Sequence, residues 1–218
     1  MKITGAAIIG CGMVYRVHAD AIGGLDKARL LVAVDTDEGK AQAAALKYGC
    51  KYTTDYTEIL NDPDVQVVHL CTPHFLHAPM AKAFMQAGKH VLVEKPMGLN
   101  IQECNELIEI SRQTGCSLGV CLQNRYHGTS LKMKELIDNG EMGRVLGARA
   151  FLTWSRTRDY YQKSSWRGTW EKEGGSLLMN QAIHTLDLLQ WMLGDVEDVK
   201  GTISTHSLSD LIETEDTA

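Results

Sequence analysis

Short, mainly apolar runs alternate with helix-like segments through the first half of the chain. The apolar runs predict strands over residues 3–9, 30–34, 65–70, 90–93 and 117–122. The segments between them predict helices over residues 13–23, 38–48, 56–60, 77–87 and 101–114. Continuously apolar strands, each followed by a helix, are typical of a parallel sheet with both faces covered. Residues 1–123 are therefore predicted to form an α/β domain of the Rossmann type.

The pattern changes after Gln123. Helices are predicted over residues 131–138 and 176–193, and strands with partial alternation over residues 145–154 and 199–205. The stretch from residue 160 to residue 175 is polar, aromatic and irregular. Strands and helices that no longer alternate regularly are typical of an α+β domain. Residues 124–218 are therefore predicted to form a second domain.

The composition narrows the possible function classes. The 218 residues are 44% hydrophobic and 22% charged, which is enough for one large or two modest domains. A net charge of −5 without a basic cluster argues against a nucleic-acid partner. No apolar run reaches bilayer length, and the start of the chain lacks a signal-peptide pattern, so we expect a cytoplasmic protein with no membrane partner. The six cysteines are irregularly spaced without a C-x-x-C pair, which indicates reduced thiols and no metal site.

A glycine-rich turn follows the first predicted strand. Its sequence is Gly10-Cys11-Gly12-Met13-Val14-Tyr15, and it lies where a G-x-G-x-x-G dinucleotide fingerprint belongs. The first glycine permits the tight turn, and the second lets the backbone approach a pyrophosphate at the helix N-terminus. Tyr15 replaces the third glycine, which serves close helix–strand packing more than phosphate contact.

Asp35 ends the second predicted strand, 25 residues after Gly10. A carboxylate at this place can accept hydrogen bonds from the adenosine ribose hydroxyls. It would also repel a 2′-phosphate, and the following residues, Thr36-Asp37-Glu38, offer no cation. The turn therefore favours NAD over NADP. The alternative is an ordinary strand-to-helix turn in which Asp35 caps the next helix.

Two further segments carry candidate chemistry. Glu94-Lys95-Pro96 directly follows a predicted parallel strand, so Lys95 lies at the sheet edge where α/β ligands bind; a solvated surface lysine is the alternative. Asn180, His184 and Asp187 recur at intervals of four and three, which predicts one helical face. The ordinary pKa of histidine, about 6.5, suits proton transfer near neutrality, although most helical histidines are structural.

Aromatic residues and arginine precede that helix. Trp166-Arg167 stands within a cluster that also contains Tyr160, Tyr161 and Trp170. Aromatic faces with an arginine suit a sugar or an acidic sugar. Ordinary loop packing is the alternative.

Taken together, the motifs resemble the Gfo/Idh/MocA oxidoreductases, the family of glucose–fructose oxidoreductase and inositol dehydrogenase. The resemblance rests on Gly10-Cys11-Gly12, Cys71-Thr72-Pro73 with His77, Glu94-Lys95-Pro96, Gln123-Asn124-Arg125, Gly140-Glu141-Met142-Gly143, Gly174-Gly175 and Asn180-Gln181-Ala182-Ile183-His184-Thr185-Leu186-Asp187. These motifs follow one another in the family's order through nearly the whole chain.

The resemblance implies a role for each matched position. Lys95 would lie beside the nicotinamide and hold or protonate the reacting hydroxyl oxygen, with His184 and Asn180 completing the catalytic set. The implied cofactor site comprises Gly10, Gly12, Met13, Val14, Asp35, Thr36, Cys71, Thr72, Pro73, His77, Glu94, Lys95 and Gln123. The implied substrate site comprises Arg125, Trp166, Arg167, Asn180, Gln181 and His184. Many members carry Asp where this chain has Asn180; an Asn cannot act as a general base but can hydrogen-bond a substrate hydroxyl.

The resemblance implies an NAD-dependent dehydrogenase that acts on a secondary alcohol of a sugar, inositol or nucleotide-sugar. It also implies an open, mostly antiparallel sheet in the second domain, which serves assembly into homo-oligomers. Family members usually continue well beyond this chain's last residue, so we expect that sheet to be incomplete and leave its oligomeric state open. The alternatives are a dinucleotide-binding sensor without catalysis, or an inactive fragment of such an enzyme.

Overall fold

The computed structural model describes residues 3–218. The chain divides into two compact units, one ending at Cys121 and the other beginning at Leu122. Each unit is described separately below.

The first unit is built on a single parallel sheet. Its strands are β1 (Thr4–Ile9), β2 (Ala28–Val34), β3 (Lys51–Thr53), β4 (Val67–Leu70), β5 (His90–Glu94) and β6 (Leu118–Cys121). They lie in the order β3-β2-β1-β4-β5-β6, and all pairs are parallel. The order reverses between β1 and β4, which is the point where ligands bind at the carboxyl ends of such sheets. The predicted Rossmann-type fold is confirmed.

Five helices connect these strands. They are α1 (Tyr15–Gly23), α2 (Glu38–Tyr48), α3 (Thr57–Leu60), α4 (His77–Gln86) and α5 (Ile101–Thr114). The bounds of α2 and α5 match the prediction because their caps are local. Asn100 accepts the Glu103 N–H at 2.9 Å as the N-cap of α5, and Glu103 accepts the N–H of the preceding residue, Leu99, at 2.8 Å. Gly115 then ends α5 in the left-handed conformation.

Apolar side chains cover both faces of the sheet. One face packs against α4 and α5 through residues such as Leu70, Phe84 and Leu107. The other packs against α1 through Ile8, Ala19 and Ile22. This two-sided burial is the reason that the strands read as continuous apolar runs. The edge strand β3 was missed because its three residues, Lys-Tyr-Thr, carry no apolar run.

The second unit is mostly helical and irregular. It contains α6 (Gly128–Asp138), the short α7 (Arg158–Gln162), and a π-helix over Leu177–Ala182 that continues as α8 (Ile183–Leu193). Within its residues, 122–218, the only β-pairing is one antiparallel bridge between Ser204 and Thr217. The structure therefore does not show the strands expected over 145–154 and 199–205, apart from the single bridge at Ser204, and it does not show the expected open antiparallel sheet.

A common physical reason explains why residues 145–154 and 199–205 do not form the expected strands. A strand is stable only when its backbone N–H and C=O groups pair with a neighbouring strand. The unit's described residues supply no such ladder, and the segments instead lie exposed, with Phe151 84% accessible. The alternation of apolar and polar residues in these segments is typical of a strand, but the unit offers no neighbouring strand with which they could form a ladder.

Candidate functional site

The glycine-rich turn between β1 and α1 has an open outer side. Gly10 has a φ of +95°, and a Cβ there would lie 2.6 Å from the carbonyl oxygen of Cys71, so the position requires glycine. A Cβ on Gly12 would meet nothing within 4 Å, and Met13 is 75% exposed. The side chain of Val14, the N-cap residue of α1, makes no capping hydrogen bond. The first backbone N–H groups of α1 therefore suit an anion.

Tyr15 stands in place of the third glycine of the fingerprint. Its ring is buried and packs edge-on against Tyr48 of α2, with the ring centroids 6.2 Å apart. The bulky side chain is therefore absorbed into the core beside the sheet, and the glycine-rich turn keeps its shape.

Asp35 joins the end of β2 to this turn. Its Oδ2 accepts the Cys11 N–H at 2.7 Å, and its Oδ1 accepts the Asp37 N–H at 2.9 Å. The cap of α2 is Asp37, which accepts the Lys40 N–H at 3.2 Å. The alternative interpretation of Asp35 as a helix cap is thus wrong. Burial, and then the Asp35 charge, raise the pKa of Cys11 to about 12, so this residue stays a neutral thiol.

The loop after β4 approaches the same sheet edge. Cys71 is buried against Gly10, and burial raises the pKa of its thiol. The Thr72 hydroxyl oxygen is buried without a hydrogen-bond partner among the described residues. A bound molecule with a polar group would satisfy it. Pro73 follows, half-buried, before α4 begins.

His77 is fully buried at the start of α4 and joins two loops. Its Nδ1 lies 2.7 Å from the carbonyl oxygen of Pro96, and its Nε2 lies 2.9 Å from that of Thr72. Burial lowers the pKa of His77, although both carbonyl contacts favour the protonated ring. Because no ring atom reaches solvent, the structure places this predicted cofactor residue behind the loops that it holds.

The Glu94-Lys95-Pro96 turn lies at the carboxyl end of β5, and its Lys95–Pro96 peptide bond is cis. Glu94 Oε1 contacts His18 Nε2 of α1 at 2.8 Å. Burial alone would raise the pKa of Glu94, but the contacts with His18, Cys121 and Lys95 outweigh it and lower the pKa. Glu94 is therefore a carboxylate at neutral pH.

The first unit thus gathers most of the predicted cofactor residues at one edge. The ends of β1, β2, β4 and β5 contribute the glycine-rich turn, Asp35, the Cys71 loop and the Lys95 turn. Thr36 is exposed directly after Asp35. Gln123 lies outside this group, exposed in a 3-10 turn over Gln123–Tyr126 of the second unit.

In the second unit, Asn180 is held in the π-helix by a buried carboxylate. Its Nδ2 donates to Glu173 Oε1 at 2.6 Å and to the Tyr160 hydroxyl at 3.2 Å. Glu173 Oε2 also accepts the Gly168 N–H at 2.6 Å and the Ser176 hydroxyl at 2.7 Å. The sequence analysis missed Glu173 because nothing local distinguishes it from a solvated glutamate.

The predicted shared face of Asn180, His184 and Asp187 is altered by this π-helix. A wider turn shifts the angular positions that an α-helix would give at intervals of four and three. Asp187 forms a two-pronged ion pair with Arg125, whose Nε lies 2.8 Å from Oδ2. Arg125 also lies 5.7 Å from the ring of Trp191. The arginine therefore supports α8 through this ion pair, and His184 is half-buried in the first turn of α8.

The aromatic segment stacks on arginine. The Arg167 guanidinium lies 4.2 Å from the ring centroid of Tyr160 and 4.9 Å from that of Trp166. Arg156, which the sequence analysis did not select and which follows the predicted strand over 145–154, stacks on Tyr160 and donates to Gln181 Oε1 at 2.5 Å. A cavity of about 230 Å³ adjoins this cluster, lined in part by Trp154, Arg156, Tyr161, Gln181 and Leu208.

Two general features accompany these sites. Among residues 3–218, no helix is long and apolar enough to cross a membrane. All six cysteines are free, and one of them, Cys121, offers with His18 and Glu94 three possible metal-ligand atoms within 4.8 Å of one another. The expectation of no metal site had not anticipated this cluster.

A Rossmann sheet with an open glycine-rich turn and a carboxylate at the end of β2 defines a dinucleotide-binding protein. A family profile described as "Oxidoreductase family, NAD-binding Rossmann fold" matches residues 4–122, and one described as "GFO/IDH/MocA C-terminal domain" matches residues 130–218. The chain belongs to the GFO/IDH/MocA oxidoreductase family.

Individual relatives point in the same direction. An uncharacterized oxidoreductase, sll0816 of Synechocystis, is 32% identical over 91% of this chain and 53% of its own length. Inositol 2-dehydrogenase of Rhizobium meliloti is 29% identical over 93% of this chain and 58% of its own length. The WlbA dehydrogenase of Bordetella pertussis, solved with NADH and UDP-GlcNAcA, has a TM-score of 0.92 and 33% identity over 99% of this chain and 62% of its own. The chain thus spans little more than half the length of these relatives.

Proposed function

We propose that this chain carries the cofactor site and catalytic residues of an NAD-dependent dehydrogenase acting on a secondary alcohol of a sugar, inositol or nucleotide-sugar. The observation that carries the proposal is the glycine-rich turn. An added Cβ on Gly12 would meet no atom within 4 Å, and the Cys11 N–H donates to Asp35 Oδ2 at 2.7 Å. The relatives support it, since one is named inositol 2-dehydrogenase and another was solved with NADH and UDP-GlcNAcA. Residues 1–123 would hold the cofactor, and residues 124–218 would contribute to substrate binding.

The residues of the first unit fit a dinucleotide. Gly10, Gly12, Met13 and Val14 would surround the pyrophosphate, because their side of α1 offers N–H groups and open space. The Asp35 carboxylate and Thr36 would meet the adenosine ribose, and the Asp35 charge disfavours the 2′-phosphate of NADP. The partnerless Thr72 hydroxyl, with Cys71 and Pro73, would line the same site. When bound, the cofactor supplies or accepts the hydride.

The proton of the substrate hydroxyl is assigned to Lys95 and His184. Lys95 follows a carboxylate that stabilises its ammonium, and His184 is half-buried in the first turn of α8. Asn180 would bind a substrate hydroxyl, since Glu173 and Tyr160 fix the orientation of its amide. Because position 180 carries no carboxylate, Lys95 and His184 share the proton transfer.

The substrate side of the proposal rests on the stacked aromatic segment. Arg167 and Arg156 lie over Tyr160, and Trp166 and Gln181 stand beside them. Aromatic faces recognise sugar rings, and two cations favour a substrate with an acidic group. Arg125 would support this region through its ion pair with Asp187 rather than by contact with substrate.

Binding of NADH tests the cofactor site directly. Gly12→Asp places a carboxylate at the open side of the turn, where it would repel the pyrophosphate without a clash inside the fold. We expect the variant to lose NADH fluorescence enhancement at concentrations that saturate the natural chain. Gly147→Asp, at another position where an added Cβ meets nothing, is the matched control. Equal affinity in all three proteins would reject the proposal.

A panel of inositols, sugars and nucleotide-linked sugars then distinguishes an enzyme from a sensor. The second candidate is a dinucleotide-binding sensor without catalysis. It is favoured by residues 145–154 and 199–205, which form no strand ladder and are paired only through the bridge between Ser204 and Thr217. It predicts NADH binding without any absorbance change at the reduced-nicotinamide band. An inactive fragment predicts neither a cooperative melt nor binding.

Those strand segments also bear on assembly. We propose that residues 145–154 and 199–205 join an open, mostly antiparallel sheet when another chain supplies the pairing, as a homo-oligomer would. The exposed side chains of Leu146, Phe151 and Val199 support such pairing. Sedimentation and far-UV circular dichroism over a concentration series should show strand content rising with mass; a monomer of constant strand content would reject it.

A further inference from the structure

Four side chains from four elements, one buried and three half-buried, form a row beneath the carboxyl edge of the first sheet. His69 of β4 and His18 of α1 face each other with their Nδ1 atoms 3.0 Å apart, and their rings meet edge-on. His18 Nε2 lies 2.8 Å from Glu94 Oε1. Cys121 of β6 completes the row beside Glu94. Side-chain exposure is only 6% at His18 and 15% at Glu94.

The distribution of protons in this row follows from its geometry. Burial, followed by the nearby His18, lowers the pKa of His69 to about 4, so His69 is neutral. Glu94 is ionised and can only accept, so His18 Nε2 must carry a hydrogen and donate it to Glu94. His18 Nδ1 either donates to His69 or accepts from it, and both arrangements keep that hydrogen on Nε2. The row therefore fixes one orientation of the Glu94 carboxylate.

A second histidine holds the residue on the other side of Lys95. His77 Nδ1 lies 2.7 Å from the Pro96 carbonyl oxygen, and His77 has no exposed surface. Glu94 and Pro96 are the chain neighbours of Lys95. Two buried histidines, from α1 and α4, therefore fix both ends of the turn that carries the lysine.

We propose that His18 is a positioning residue, which orients the Glu94 carboxylate and thereby sets the placement and charge environment of Lys95, with His77 fixing the other end of the turn. This proposal rests on the role given above to Lys95. The groups that face Glu94 are His18 of α1, Lys95 of the turn, Cys121 of β6 and Cys71 after β4, and His69 faces His18.

Replacing His18 should change the pKa values of Glu94 and Lys95 in a defined direction. Without the His18 contacts the pKa of Glu94 should rise, because burial raises it and only the contacts with Cys121 and Lys95 remain to lower it. The ammonium of Lys95 would lose a neighbouring negative charge, so its pKa should fall. A displaced lysine also costs rate, since a misplacement of about 1 Å can cost about 100-fold.

The experiment compares His18→Leu with His18→Gln in the full chain. The Gln side chain can still donate to Glu94, whereas Leu cannot. We expect His18→Leu to lower kcat by about ten- to a hundredfold, to shift the lysine-dependent limb of the pH profile to lower pH, and to leave NADH affinity nearly unchanged. His18→Gln should restore most of both changes. His90→Gln, at the opposite end of β5, is the control.

A second measurement keeps the test independent of turnover. Reductive ¹³C-methylation of the lysines, with Lys95→Arg to assign the resonance, reports the pKa of Lys95 by NMR even if no substrate is found. A lower Lys95 pKa in His18→Leu, reversed in His18→Gln, supports the proposal whether or not the chain is an enzyme. An unchanged Lys95 pKa in folded His18→Leu overturns it. Stoichiometric zinc that is lost in His18→Leu also overturns it, because His18 would then be a metal ligand.

Discussion

The two units of this chain stabilise themselves by different means. In the first, apolar side chains such as Leu70 and Phe84 fill both faces of a sheet whose strands all lie within the unit. In the second, the apolar cluster centres on Tyr161, Leu208 and Ile212, and a buried Glu173 with three donors holds the π-helix. The first unit combines a strand ladder with apolar burial on both faces, whereas the second unit has a smaller apolar cluster and relies more on individual polar contacts.

The largest expected effect concerns chemistry in the first unit. Lys95→Ala removes the proposed proton donor while leaving the glycine-rich turn and Asp35 in place. Turnover should fall by about 10²–10⁴-fold, and NADH affinity should change little, as measured by steady-state kinetics and fluorescence titration. Lys51→Ala, an exposed lysine on the edge strand β3, is the control. Turnover that survives in Lys95→Ala would remove the lysine from the mechanism.

A matched pair of phenylalanines compares the two units directly. Phe84 is fully buried in the first core, and Phe151 is 84% exposed in the second unit. Phe84→Ala should lower the free energy of unfolding by about 3–5 kcal/mol, whereas Phe151→Ala should change it by less than about 0.5 kcal/mol. Urea unfolding measures both. A large loss from Phe151→Ala would mean that the second unit buries this ring in solution, for example in an oligomer.

The free energy of unfolding should depend on pH because His69 titrates differently in the folded and unfolded chains. Burial and His18 lower its folded-state pKa to about 4, and in the unfolded chain the pKa returns to about 6.5. Between these values the unfolded state binds the extra proton, so stability rises with pH and is lost as the pH falls from 6.5 towards 4. The slope should reach about 1.4 kcal/mol per pH unit.

Urea unfolding at several pH values in this window, compared with His69→Asn, isolates that contribution. The asparagine does not titrate, so its curve should lack the extra slope. Identical slopes in the two proteins would show that His69 is already protonated, or exposed, in the folded chain.

The smallest effect is expected for the polar network of the second unit. Glu173→Gln turns an acceptor oxygen into an NH₂ group that can no longer accept from all three donors, at a cost of about 1–3 kcal/mol. Glu171→Gln, an exposed neighbour, should be nearly silent. Hydrogen exchange of the amides over residues 177–193 measures the change. Equal protection in both variants would mean that the π-helix does not depend on Glu173.

The same contrast explains which site residues could be found in advance. Gly10, Gly12, Asp35 and Lys95 could be placed because each lies at the end of a strand, and parallel strands bring those ends to one edge. Glu173, Arg156 and His18 could not, because their roles depend on partners 7 to 76 positions away in the chain. His77 was assigned to the cofactor site from its motif, yet the structure places it behind two loops.

The sequence by itself determined the parallel sheet, its helices and the turn that suits a dinucleotide, because apolar period, caps and glycines act over a few residues. Only the tertiary structure decided that residues 145–154 and 199–205 form no strand ladder beyond the bridge between Ser204 and Thr217, because a strand needs hydrogen bonds from elsewhere in the chain. It also decided that Asp35 accepts the N–H of Cys11, 24 residues away, and that two buried histidines hold the turn around Lys95. These are choices among distant polar partners, and local sequence does not encode them.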